Sequence, residues 1–125
     1  YTPGHAKHHV SYLDEHTGMA YVGDTGGVQV AGEFLIAPTP PPDIDIEAWH
    51  QSLDTIEAWR PAALFLTHFG PVAAARPHLA RFRTVMQASA DRSREMLKTG
   101  ATDEEQAKRY GELIRNEARQ TLPEH

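Results

Sequence analysis

Two kinds of hydrophobic spacing divide the chain. From His9 to Asp14 and again from Met19 to Gly23, apolar and β-forming residues (Val10, Tyr12, Leu13; Met19, Tyr21, Val22) flank a short segment containing Thr17 and Gly18, the pattern of a β-hairpin. Its second strand delivers Asp24 to a C-terminal edge, and Gly26 and Gly27 then let the backbone turn sharply and leave room beside a ligand. Tyr12 and Tyr21 alternate along these strands, so at least one is expected in the core. Residues 28–42 mix the apolar run Phe34-Leu35-Ile36 with prolines at 38, 40, 41 and 42, which oppose regular structure and stiffen a loop. Asp45 fits the N-cap of a helix carrying Ile46, Trp49, Leu53, Ile56 and Trp59 on one stripe, ended by Arg60-Pro61. A buried strand from Ala63 to Thr67 follows and presents His68 at its end. This order suits an α/β layer fold.

After Pro77 the period becomes helical. Leu79, Phe82, Met86 and Met96-Leu97 mark one amphipathic helix that stops near Gly100. Thr102-Asp103-Glu104-Glu105 has the form of a capping box opening a second helix through Ala107, Tyr110, Ile114 and Ala118. Interleaved charges such as Arg92-Ser93-Arg94-Glu95 read as a solvated face. Phe82, Met86, Met96 and Tyr110 are the expected buried side, packed on the preceding layer, with a cleft cap or a dimer contact as the alternative use.

Composition narrows the chemistry. There is no cysteine among the 125 residues, so disulfides, Fe–S clusters and Cys-rich zinc sites are excluded and a metal site must use His and carboxylate. The net charge of −5 is uneven. Residues 1–75 hold two basic side chains, Lys7 and Arg60, against nine acidic ones, while residues 76–125 hold ten basic and eight acidic. The first segment would repel a phosphodiester backbone, so no nucleic-acid partner is expected. No run approaches the ~18 apolar residues of a membrane span, so no membrane association is expected and a cytoplasmic enzyme is the default.

Three segments carry metal-competent side chains where a strand gives way to a loop: Thr2-Pro3-Gly4-His5, Gly23-Asp24-Thr25, and Leu64-Phe65-Leu66-Thr67-His68-Phe69-Gly70-Pro71. Two imidazoles and a carboxylate suit Zn²⁺ or a similar divalent ion. At these segments the chain resembles the metallo-beta-lactamase superfamily, whose later metal-binding motifs read TPGH, a strand ending in GD and a strand ending in H. His5-Ala6-Lys7-His8-His9-Val10-Ser11, with Pro40-Pro41-Pro42-Asp43 and Thr67-His68-Phe69-Gly70-Pro71, is similar to one subgroup of these hydrolases.

The resemblance covers roughly residues 1 to 75 and implies an α/β fold: the C-terminal half of an αββα metallo-beta-lactamase sandwich over residues 1–75, with a helical hairpin over residues 76–125 packed on it. The superfamily's HxHxDH motif occurs nowhere in the chain, which opens on Tyr1. The expectation is therefore a fragment, the C-terminal part of a larger protein, inactive alone. One sheet face would then need the missing N-terminal half, or a second copy in a homodimer, to cover it.

Carried onto this sequence, the family roles fall on His5, which completes the first metal's imidazole set, on Asp24, which bridges both metals, and on His68, which serves the second. Each ion would keep only two of its ligands here. The implied cofactors are two divalent ions, Zn first, with Fe or Mn as alternatives. Such a pair, about 3.5 to 4 Å apart, supplies hydroxide near neutral pH and polarises the scissile group; Asp24 would orient that hydroxide, a catalytic role. In the related hydroxyacylglutathione hydrolases a His occupies the place of His9, which implies contact with substrate or support of a ligand; a histidine that merely starts a half-buried strand is the alternative, and His8 stands equally open. Lys7 is either solvated or an anion-attracting residue at the pocket mouth. Thr2 and Thr67 are expected to hydrogen-bond locally, His16 to lie in a surface turn, and His50 and His78 to face solvent; His125 is terminal.

The implied function is hydrolysis of a small-molecule ester, thioester, lactone or phosphoester by a dinuclear metal-bound hydroxide in the intact parent protein. Nothing in the chain selects the bond. The alternatives are an iron-dependent redox enzyme of the same fold, such as a persulfide dioxygenase or a flavodiiron protein, and a non-catalytic oligomerisation module.

Overall fold

The alternating segments pair as β1 (Tyr12–Asp14) and β2 (Met19–Tyr21), antiparallel, in a computed structural model that describes residues 1–39 and 42–122. Asp14 closes the turn between them: its carboxylate accepts from the His16 and Thr17 amides and the Thr17 hydroxyl. His16 lies exposed in that turn. A 3-10 turn (Gly23–Gly26) follows β2, then β3 (Val28–Val30) and β4 (Phe34–Ile36) form a second antiparallel hairpin. The loop expected over residues 28–42 thus begins as a hairpin; Gly32 at φ 76° turns it, and the prolines come only after β4. Pro40 and Pro41, like His125, lie outside the described residues.

Helix α1 (Ile46–Ala58) starts where Asp45 Oδ1 accepts from the Ala48 amide at 2.9 Å, satisfying one of the first-turn donors. Trp49, Leu53 and Ile56 are fully buried, each stabilising the fold by roughly 1.5–3 kcal/mol. The chain then returns as β5 (Ala63–Phe65), parallel to β2, and as β6 (Pro71–Val72), so the main sheet runs β1-β2-β5-β6. A parallel pair requires a crossover, and the β3–β4 hairpin with α1 provides it.

Register decides which side chains face the core. Leu13, Ala20, Leu64 and Val72 form one cross-strand row, and this row meets Trp49, Leu53, Leu79, Phe82 and Met86 in the hydrophobic cluster. The next row, Tyr12, Tyr21 and Phe65, points the opposite way and stays 66%, 47% and 42% exposed. The expectation that one tyrosine is core is therefore wrong: as register partners, both share the bare face. The strand from Ala63 is likewise buried on alternate residues only, at Leu64 and Leu66.

Two helices complete the chain, α2 (Ala75–Leu97) and α3 (Asp103–Thr121). Gly100 at φ 70° separates them, and the Thr102–Glu105 capping box opens α3. The first half of α2 buries His78, Leu79, Phe82 and Met86 in the same core as α1 and the sheet. Met96 and Tyr110 are only half-buried, and α3 buries no residue fully. Among the described residues no helix is long and apolar enough to cross a membrane.

Candidate metal centre

His5 leaves the Thr2–Gly4 segment at a point where chain and helix touch. Gly4, at φ 132°, lies so close to α1 that a Cβ there would fall 2.3 Å from Trp49 Cα, and its carbonyl accepts from the Asp45 amide at 2.9 Å. Only glycine fits that approach. His5 Nδ1 donates to the Pro38 carbonyl at 2.8 Å. A carbonyl cannot donate, so Nδ1 carries the proton and, in the neutral ring, Nε2 carries the lone pair. That Nε2 lies 3.6 Å from Asp24 Oδ2.

Asp24 sits in the 3-10 turn after β2, and the turn's carbonyls are tied down on both sides. Trp49 Nε1 donates to Thr25 O at 2.9 Å, and His78 Nε2 donates to Gly26 O at 2.8 Å. His78 was expected at the surface but is 6% exposed; burial lowers its pKa, with the Gly26 bond opposing, so it serves as a neutral donor. His68 stands at the tip of the β5–β6 turn, where Phe69 and Gly70 take φ 65° and 92°. Its Nε2 lies 3.6 Å from the other Asp24 oxygen, Oδ1.

The three groups thus meet as two pairs that share one carboxylate, an imidazole on each oxygen. Among the described residues, no three or more His, Cys, Asp or Glu side chains close around one centre. Asp24 Oδ1 is a buried acceptor with no hydrogen-bond partner, an arrangement that is costly unless a cation or proton donor completes it. Two donors about 2.0–2.2 Å from one tetrahedral ion stand about 3.4 Å apart, close to both observed 3.6 Å separations. The residues present therefore fit divalent ions.

Known proteins carry the same arrangement of elements. A metallo-beta-lactamase fold-containing protein of Sulfurisphaera tokodaii is 36% identical over 72 residues, 58% of this chain and 26% of its own length. The crystal structure of that archaeal superfamily protein, from Sulfolobus tokodaii, aligns at TM-score 0.56 and 32% identity over 67% of this chain and 31% of its own. Over the aligned residues the chain has the metallo-beta-lactamase fold. A metallo-beta-lactamase family protein from Thermus thermophilus aligns over 79% of this chain and 32% of its own, at TM-score 0.56 and 26% identity. No protein-family model matches. The chain spans about a quarter to a third of these metallo-beta-lactamase relatives' length.

The remaining histidines separate by contact. His9 is half-buried, its ring edge-on to His5 with centroids 6.0 Å apart. Burial first, then His5, lowers its pKa, against an opposing pull from Asp24. It lies outside any strand, and His8 is exposed. Lys7 pairs with Asp43 at 3.4 Å. His50, expected in solvent, is half-buried and bonded to Gln87 Oε1 at 3.2 Å. Thr2 is fully buried and bonded to His9 and Ser11, whereas Thr67 is exposed and makes no hydrogen bond among the described residues.

Sequence reasoning missed the supports of Asp24. The helical stripe marks Trp49 only as core, although a buried indole N–H needs an acceptor, and that rule is the available signal. Thr25 and the Pro38 carbonyl offered none.

Proposed function

We propose that this chain contributes the His5, Asp24 and His68 side of a dinuclear metal centre in a hydrolase acting on a small-molecule ester, thioester, lactone or phosphoester. The observation that carries this reading is the Asp24 carboxylate, whose two oxygens each face an imidazole Nε2 at 3.6 Å while Oδ1 is buried without a hydrogen-bond partner. Two divalent ions, Zn²⁺ in the first instance, would supply a hydroxide nucleophile near neutral pH and polarise the scissile group. The chain's own part is preorganisation. Pro38 O fixes the His5 ring, Trp49 and His78 hold the two carbonyls that follow Asp24, and the Asp24 carboxylate would orient the nucleophile between the imidazoles.

The acidic character of residues 1–75 favours a small molecule over nucleic acid as substrate. The bare Tyr12, Tyr21 and Phe65 row favours a cover for the sheet, either the rest of the sandwich or a second copy.

The test is metal analysis and a hydrolysis panel on the whole protein that carries this chain. The expected result is about two zinc ions per molecule and turnover of at least one bond class, both lost in Asp24→Ala. Iron with oxygen consumption would replace this reading with the redox one. Metal binding unaffected by Asp24→Ala would overturn it.

A further inference from the structure

Behind His9 lies a closed set of hydroxyls. His9 Nδ1 is 3.0 Å from Thr25 Oγ1 and 3.2 Å from Thr2 Oγ1. Thr2 Oγ1 is 2.7 Å from Ser11 Oγ, and Thr25 Oγ1 donates to the Thr2 carbonyl at 3.3 Å. Thr2, Thr25 and Ser11 are all buried, so these groups must satisfy one another.

Each hydroxyl has one proton, and the count decides the tautomer. A bare Nδ1 either takes the Thr25 proton, leaving the buried Thr2 carbonyl unpaired, or faces the Thr25 lone pair at 3.0 Å. A protonated Nδ1 avoids both. Its N–H is shared by the two threonine oxygens, Thr25 donates to Thr2 O, Thr2 donates to Ser11, and all four contacts are made.

The other ring nitrogen is placed by the glycine beside Asp24. A Cβ on Gly23 would lie 2.6 Å from His9 Nε2 and 3.4 Å from Thr67 Oγ1. His9 Nε2 therefore lies against Gly23, the residue before Asp24, with Thr67, the residue before His68, nearby, and it makes no hydrogen bond among the described residues.

We infer that Thr2, Thr25 and Ser11 lock His9 as the Nδ1–H tautomer and that its Nε2 lone pair is a hydrogen-bond acceptor at the rim of the centre, favouring substrates with a hydroxyl or N–H beside the scissile bond. The substrate part rests on the hydrolase reading; the tautomer part does not.

The first test is ¹⁵N NMR of the histidine-labelled chain at pH 7.5. The expected pattern for His9 is a pyrrole-type Nδ1 and a pyridine-type Nε2, retained in Thr25→Ser and altered in Thr25→Val. The second uses two ester probes of one length on the whole protein, one with a free hydroxyl beside the ester and one with its methyl ether. The wild type should prefer the free hydroxyl by about twofold to tenfold in kcat/KM, and His9→Phe should bring the ratio close to one. The reverse shift pattern overturns the proposal, and so does a hydroxyl preference that survives His9→Phe. Failure to turn over either probe counts against the hydrolase reading, while the shift pattern still decides the tautomer.

Discussion

The turn that carries Asp24 and the helix α3 are held by different physics. Around Asp24, buried side chains from distant segments donate to consecutive backbone carbonyls, Trp49 to Thr25 and His78 to Gly26. Helix α3 buries no residue fully and is tied to α2 by the Arg92–Glu117 ion pair at 2.8 Å and the Ser89–Tyr110 hydroxyl contact. Position is specified where the chain meets its candidate chemistry and left to solvated contacts at the far end. Burial and local opening should differ accordingly.

The largest break in that comparison comes from the core. Phe82→Ala should cost about 3–5 kcal/mol, against less than about 1 kcal/mol for Arg92→Ala, both read from urea unfolding midpoints and slopes. Equal costs would mean that the hairpin is integrated more tightly than its burial indicates.

Glycines sharpen the contrast next. Gly27, at φ 83°, has the Phe82 ring 2.5 Å from where a Cβ would stand, whereas Gly100, at φ 70°, has nothing within 4 Å. Gly100→Ala should cost about 1–2 kcal/mol from backbone strain alone. Gly27→Ala adds a collision with a buried ring and should cost more, by about 1–3 kcal/mol of overpacking, again by chemical denaturation.

Asp24→Asn should act in opposite directions on two readouts. It removes a charge whose Oδ1 is buried without a partner, so the metal-free chain should gain about 1 kcal/mol in stability. Divalent-ion affinity should fall, as followed by calorimetry. A matching loss of Tm in the metal-free variant would contradict the strain assigned to that oxygen.

The smallest effect is a pH dependence. His78 titrates below its ordinary value of about 6.5 because burial disfavours its charged form. The unfolded chain therefore binds the extra proton first, and the stability this group provides is complete above pH 6.5 and is lost as pH falls through the folded value. Unfolding free energy should drop from pH 7.5 to pH 5.5 by less in His78→Gln than in the wild type.

Local rules made much of this legible. Turn residues gave the β1–β2 hairpin, Asp45 gave the start of α1, and Thr102–Glu105 gave the start of α3. The order of TPGH, GD and THFGP pointed to the residues that the fold brings together. What failed was non-local. Three-residue strands such as Val28–Val30 carry too little periodicity to read. The side taken by Tyr12 and Tyr21 depends on which sheet face is covered, and burial of His78 depends on a carbonyl 52 residues away.

A single carboxylate between two imidazoles also sets how damage spreads. Losing His5 leaves the Oδ1 arm standing, and losing His68 leaves the Oδ2 arm, but any change at Asp24 severs both at once. That residue is the one point that both arms share.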